Sequence, residues 1–278
     1  VRAISRSPFR GAGAREGPRG AVVLESGARL TADERVVYYQ REEKQSDTNY
    51  VATMHVAIRP DLFTEFTTYD LSAPTAGVGE YFSPPRPTPD GKFFFFFARQ
   101  DVATGILRIW TATTAPPGVE LADIRELAGP VNDGESQSQP YVVPSGAMYF
   151  VGDRADGLSQ VFKATRRTGD SYDKVEPVGG LGPMPMQFDR SPVVTADELT
   201  IYFSSDRLGP KLLSHTFVAT RTAASSPFSN VRPLPELGSP GHEDSPNHVS
   251  AVGCRLYLTS WTSPSNYMSD ILVATKPN

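Results

Sequence analysis

One segment of this 278-residue chain is written five times. It reads TADERVVYYQREE at 31–43, TPDGKFFFFFARQ at 88–100, VPSGAMYFVGDR at 143–154, TADELTIYFSSDR at 195–207 and SAVGCRLYLTSWT at 250–262. Aligned on one aromatic, the copies set Tyr38, Phe95, Tyr149, Tyr202 and Tyr257 at intervals of 57, 54, 53 and 55 residues. A second marker, HVAIR, WTATT, FKATR, FVATR and LVATK, centres on Ala57, Ala112, Ala164, Ala219 and Ala274 and keeps the same beat. Two markers sharing one period define a repeat architecture before anything is said about chemistry.

Each unit reads as short runs of β-branched and aromatic residues separated by turn residues, which predicts four antiparallel strands per unit. Repeated four-stranded sheets that cannot bury both faces alone stack around an axis, so the fold class is all-β, a five-bladed β-propeller. The whole of 1–278 reads as one domain. Residues 1–25 form a closing strand and lead-in, and the blades fall at about 26–75, 82–128, 137–180, 189–236 and 243–278. The last unit ends just after its third strand, while SPF at 7–9 precedes its motif by the same interval as SPF at 226–228. The N-terminal segment, centred on Pro8 and Phe9, is therefore expected to supply the outer strand of the fifth blade and latch the ring. Pro85, Pro140, Pro192 and Pro246 are expected at the entry to the inner strands, where a missing donor is tolerated. The run Phe93 to Phe97 reads as core packing in a strand buried on both faces.

The SPDG-like turns, the Asp-Arg pairs 153–154 and 206–207, the Asp90–Gly91 turn and the VATR-like third strands resemble the TolB-type, WD40-like β-propeller repeat family. Trp261 and Arg99 stand where that pattern has Asp. The resemblance implies an exported or envelope-associated bacterial protein, hence a periplasmic or secreted location, and brings no catalytic set with it.

Composition excludes several classes. With 27 basic and 31 acidic side chains and no basic run, there is no nucleic-acid groove. No apolar stretch reaches membrane-spanning length, and neither a GxSxG nor a phosphate-cradling GxxxxGKS motif occurs. The single cysteine, Cys254, reads as a small buried filler in a second strand. His242 and His248, six residues apart, are the one histidine pair that invites a shared metal.

Loops joining the second strand to the third, and one blade to the next, emerge on one face and are the longer set, so that face is the candidate site. Residues just ahead of the inner strands converge there on the axis: Glu25, Glu135, Gln137, Asp189, Arg190, His242, Glu243 and Asp244. Trp261, with Tyr267, adds an aromatic suited to stacking on a sugar. Carboxylates ringing a narrow channel suit a cation such as calcium, although no cofactor is required, or a hydroxyl-rich ligand. The expected function is a noncatalytic binding or scaffold module for a glycan, peptide or protein partner, acting as a monomer and more readily read as no enzyme. The alternatives are a glycoside hydrolase or lyase using channel carboxylates, and a structural subunit of an envelope complex. For the enzyme, Glu25, Asp189 and Glu243 occupy equivalent positions in different blades.

Overall fold

In a computed structural model, the structure describes residues 3–6, 23–46, 49–71, 83–99, 105–115, 120–153, 156–182, 187–208, 213–238, 241–262 and 269–275. Five four-stranded antiparallel sheets form the blades. Blade 1 is β2 (Val23–Leu30), β3 (Val36–Ser46), β4 (Asn49–Ile58) and β5 (Thr67–Asp70). Blade 2 is β6 (Arg86–Pro87), β7 (Phe94–Arg99), β8 (Leu107–Ala115) and β9 (Glu120–Glu126). Blade 3 is β10 (Gln137–Val142), β11 (Met148–Asp153), β12 (Ser159–Thr168) and β13 (Ser171–Pro177). Blade 4 is β14 (Asp189–Val194), β15 (Thr200–Ser205), β16 (His215–Thr220) and β17 (Ser229–Pro233). Blade 5 is β18 (His242–Val249), β19 (Arg255–Thr262), β20 (Ser269–Thr275) and, from the other end of the chain, β1 (Ala3–Arg6). Helix among the described residues is limited to two single 3-10 turns, Pro130–Asn132 and Pro235–Leu237.

The closing strand is thus present, several residues earlier than the SPF spacing suggests. Ala3 pairs with Thr275 and Arg6 with Leu272. Pro8 and Phe9 lie outside the described residues.

The first marker encodes a turn. In all five copies the fourth residue adopts positive φ: Glu34 at 56°, Gly91 at 67°, Gly146 at 89°, Glu198 at 59° and Gly253 at 71°. Its N–H donates to the carbonyl of the first residue each time, for example Glu34 to Thr31 and Glu198 to Thr195. Where Thr opens the motif, its hydroxyl donates to the Asp two residues on, at 2.6 Å for Thr31–Asp33, Thr88–Asp90 and Thr195–Asp197. Glycine is the usual occupant of such a position, because a side chain there costs of order 1 kcal/mol.

Two blades accept that cost for a carboxylate that reaches the preceding blade. Glu34 takes hydrogen bonds from the Tyr257 hydroxyl (2.6 Å) and from Arg255 (2.8 and 2.9 Å), and so ties blade 1 to blade 5. Glu198 takes the Tyr149 hydroxyl (2.6 Å), Ser145 (2.6 Å) and Lys163 (2.7 Å), tying blade 4 to blade 3. Two arginines that end the second marker serve the same clasps: Arg59 and Arg221 donate to the backbone carbonyls of Glu34 and Glu198. Burial pushes the Glu198 carboxyl up, but the Lys163, Ser145 and Tyr149 donors outweigh it and hold the group below the usual carboxylate value.

Phe94, Phe95 and Phe96 of the Phe run are core, split by strand alternation. Phe94 and Phe96 pack with Tyr38, Val56 and Trp110 between blades 1 and 2, while Phe95 turns to Met148 and Phe150 of blade 3. Two expectations are corrected. Pro140, Pro192 and Pro246 lie within inner strands, at or beside β-bulges, with only Pro85 ahead of its strand. The innermost edge faces the channel and needs no ladder donor, and the bulge absorbs the extra residue. Cys254 lies in the turn ahead of β19 and is only partly buried.

Deleting residues 1–6 removes the four-residue pairing on β20 and is expected to lower stability by several kcal/mol, at ~1 kcal/mol per hydrogen bond plus lost burial. An unchanged melting temperature with unchanged monomeric elution would refute it. Glu198→Ala strands buried donors and is expected to cost about 3 to 5 kcal/mol in chemical denaturation at neutral pH. Because the folded-state value is depressed, this stabilisation is present above the ordinary carboxylate range and lost as pH falls through the depressed value. The gap between wild type and variant should therefore close in acid.

Candidate active site

The bulges build the floor of a funnel on the long-loop face. Gly27, Gln139 and Ser191 hold positive φ just ahead of Ala28, Pro140 and Pro192, and with Pro84 and Ser245 they line a cavity of about 250 Å³. That is close to the lower end of small-molecule sites, ~300 Å³. Its walls are mostly hydroxyl and amide: Ser26, Gln40, Ser83, Ser204, Asn247 and Thr259, with Arg29, Arg190, Glu243 and Trp261. Neighbouring strands fix the polar groups. Arg29 Nη1 donates to Asn247 Oδ1 at 2.8 Å, the Gly27 N–H to Thr259 Oγ1 at 3.0 Å, and the Ser191 N–H to Gln139 Oε1 at 2.6 Å.

Of the nine residues singled out in sequence, Arg190, Glu243 and Trp261 converge in this funnel. Glu243 pairs with Trp261 across β18 and β19. Burial raises its carboxyl above the ordinary value, against the Trp261 indole donor, the Ser214 backbone and the charges of His215 and Arg190. Arg190 is exposed, with its guanidinium 4.5 Å over the Phe188 ring.

The other six sit elsewhere. Asp189 is buried in a two-pronged pair with Arg207 (2.6 and 2.8 Å), whose guanidinium also lies over Phe203 and Phe217. The Asp206–Arg207 motif is accordingly a cross-strand tie within blade 4; Asp206 itself accepts the Phe188 N–H. Glu25 pairs with Arg41 at 3.0 Å. Glu135 is exposed, and Gln137 is buried beside Arg108. His242 meets the Ser260 hydroxyl at 3.3 Å. Asp244, 1% exposed, faces a separate cavity of about 280 Å³ together with His215. Tyr267 and Arg154 lie outside the described residues.

Asp153, read from sequence only as half of an Asp-Arg pair, does not line the funnel but lies within electrostatic reach of Arg190, which does. Burial and the Glu135 charge raise its carboxyl, and Arg190 draws it back down. Arg190 therefore acts on both Asp153 and Glu243. Arg29, Gln139 and Asn247 were missed altogether, although their alignment with the inner-strand prolines places them on the axis. Among the described residues, no group of three or more His, Cys, Asp or Glu could hold a metal ion.

No protein-family model matches the sequence, and no curated protein is similar to it in sequence. Solved structures share its fold. TolB from Acinetobacter baumannii is 16% identical with a TM-score of 0.51; the match covers 90% of this chain, which spans about half (54%) of TolB's length. An arabinanase from Bacillus subtilis, 11% identical, matches over 92% of this chain and 96% of its own with a TM-score of 0.59. An α-L-arabinofuranosidase from Podospora anserina, in complex with cellotriose, is 11% identical and matches over 98% and 96% with a TM-score of 0.54. At these identities the likeness is one of fold, the β-propeller. The expectation of a noncatalytic binding module is nonetheless corrected. The structures matching over nearly the whole of both chains are glycosidases, a family-43 glycoside hydrolase and a β-xylosidase among them, so the weight moves to the enzyme alternative.

With its folded-state value raised, Glu243 binds its proton more tightly in the folded than in the unfolded state. Its contribution to stability therefore falls as pH rises through the window above the ordinary carboxylate value. Glu243→Gln is expected to raise the melting temperature at neutral pH and to flatten its pH dependence across that window, read by a thermal-denaturation series. A lower melting temperature for the variant at every pH would count against this account of the site.

Proposed function

We propose that this chain is a glycoside-acting hydrolase whose site is the funnel, with Glu243 as proton donor and Asp153 as the second carboxylate. The observation that carries the reading is a half-buried carboxyl whose hold on its proton is strengthened, set in a hydroxyl- and amide-rich funnel beside Trp261. A glycosidase needs one carboxyl that can give a proton to the leaving oxygen at near-neutral pH, and burial tunes a Glu in that direction. The second carboxylate acts on the anomeric carbon or its attacking water. Arg190 acts on both groups and offsets part of the burial and Glu135 repulsion that raise the Asp153 carboxyl. Trp261 offers an apolar face to a sugar ring, and the Ser, Thr, Asn and Gln groups match its hydroxyls.

The repeat signatures and the TolB-like fold further support an exported protein of TolB-type repeat ancestry, with an extracellular or periplasmic polysaccharide as partner. No helix among the described residues is long and apolar enough to cross a membrane.

The test is reducing-end release from arabinan, xylan and other plant and bacterial polysaccharides, together with aryl glycosides. Wild type is expected to cleave at least one. Glu243→Gln should lose about 10²- to 10⁴-fold in kcat, the usual span of a general acid, and Asp153→Asn should fall comparably. Absence of cleavage across the panel, or full activity in Glu243→Gln, would remove the proposal.

A further inference from the structure

On the opposite face the channel ends in a second cavity, which the glycosidase reading does not use. Its walls are the ends of the inner strands, Leu30, Pro87, Val142, Val194 and Val249, and its interior polar groups are Arg86, Tyr141 and His248. It has a volume of about 60 Å³.

The register identifies what lies at its inner end. The five marker aromatics pair with one inner-strand position per blade: Tyr38 with Arg29, Phe95 with Arg86, Tyr149 with Tyr141, Tyr202 with Val193 and Tyr257 with His248. These equivalent positions ring the axis, so two guanidiniums, a phenol and an imidazole meet there. Arg29 is 7% exposed, Arg86 5% and His248 8%.

The charge in this ring is uncompensated. The groups that act electrostatically on Arg86 are Arg29 and Tyr141, and those that act on His248 are the same two arginines. Burial pulls Arg29 down to about 9 and His248 to about 3, so the imidazole is neutral and both guanidiniums remain charged at neutral pH. Arg86 stacks 4.6 Å from the Tyr141 ring centre and donates weakly to the Pro192 carbonyl at 3.4 Å, while its Nη2 has no hydrogen-bond partner. His248 Nε2 has none either. A buried cation without a counter-charge, beside two orphaned polar nitrogens, is costly and calls for an anion.

We infer that this cavity binds a small aliphatic carboxylate, its head group on Arg86 and its short apolar tail against the Leu30, Val142, Val194 and Val249 ring. The carboxylate accepts from Arg86 Nη2 and from an N–H of the neutral His248. Arg29 adds attraction from the funnel side. The volume corresponds to about two waters, which suits a carboxyl with a short alkyl stub and excludes a sugar. The site is distinct from the funnel and does not depend on the glycosidase reading.

Thermal denaturation at fixed ionic strength, with increasing acetate, propionate or butyrate, is expected to show a saturable rise in melting temperature that matched butyramide and chloride do not produce. Arg86→Met should abolish the response. It should also be at least as stable as wild type without ligand, because it removes a buried unpaired charge. Should Arg86→Met fail to fold, Val194→Phe, which fills the apolar sleeve and leaves both arginines in place, must lose the response. Equal effects from butyramide or chloride, no saturable effect in wild type, or a response retained in either variant would overturn the inference.

Discussion

Everything in this fold depends on burial between blades, and the hardest place to achieve it is the seam where the chain's two ends meet. A blade of four strands leaves two apolar faces that only its neighbours can cover. Blades 2 to 4 inherit neighbours from chain continuity, but blades 5 and 1 must find each other. Two devices hold them. β1 completes the sheet of blade 5, and Glu34 reaches back to Tyr257 and Arg255. The carboxylate departs from a glycine-like turn conformation to do so. Its twin, Glu198, fastens blade 4 to blade 3, so the same device serves in mid-ring. Between the two clasps, Tyr38, Phe94 and Phe96 pack the blade 1–2 interface, and Phe95 and Phe150 pack that of blades 2 and 3, where Arg108 adds hydrogen bonds to Glu135 and Gln137.

Most of this was legible before the coordinates, because packing repeats. The spacing of Tyr38, Phe95, Tyr149, Tyr202 and Tyr257 counted the blades, and the short last unit predicted closure by the N-terminus. What the period does not carry is local backbone irregularity. Four of the five inner strands hold one residue too many for their partners, and a proline at such a bulge looks in sequence like a proline ahead of a strand. The error displaced the site by about two residues. Gln139 and Ser191, in the left-handed region beside those prolines, form the funnel floor, whereas Gln137 and Asp189 turn away into buried pairings.

Asp189 illustrates why charge alone misled. The sequence sets it equivalent to Glu243, but the register makes Asp244 its counterpart: Asp189 pairs with Ser205 and Asp244 with Ser260, while Glu243 lies one position further along, opposite Trp261. Arg207 donates to both carboxylate oxygens of Asp189. Trp261 stands opposite Glu243 and supplies a single donor with no charge. Trp261 takes the place that Asp206 holds in the repeat's Asp-Arg ending, so Glu243 faces an indole where that pattern would set a second carboxylate.

The same logic runs along the axis. Positions that pack between blades hold similar residues in every copy, since each interface poses the same problem. The axial position paired with the marker aromatic holds Arg, Arg, Tyr, Val and His in turn, since the five copies share one lumen and cannot all place the same group there. Five arginines would repel one another, and five valines would leave nothing to bind. Divergence within a repeat is therefore informative where the copies converge on a point, and it marks Arg29 and Arg86 more clearly than their type does. Their mutual repulsion in a buried channel is a cost that an anion between them would relieve, so the axis is where the copies' differences carry most information.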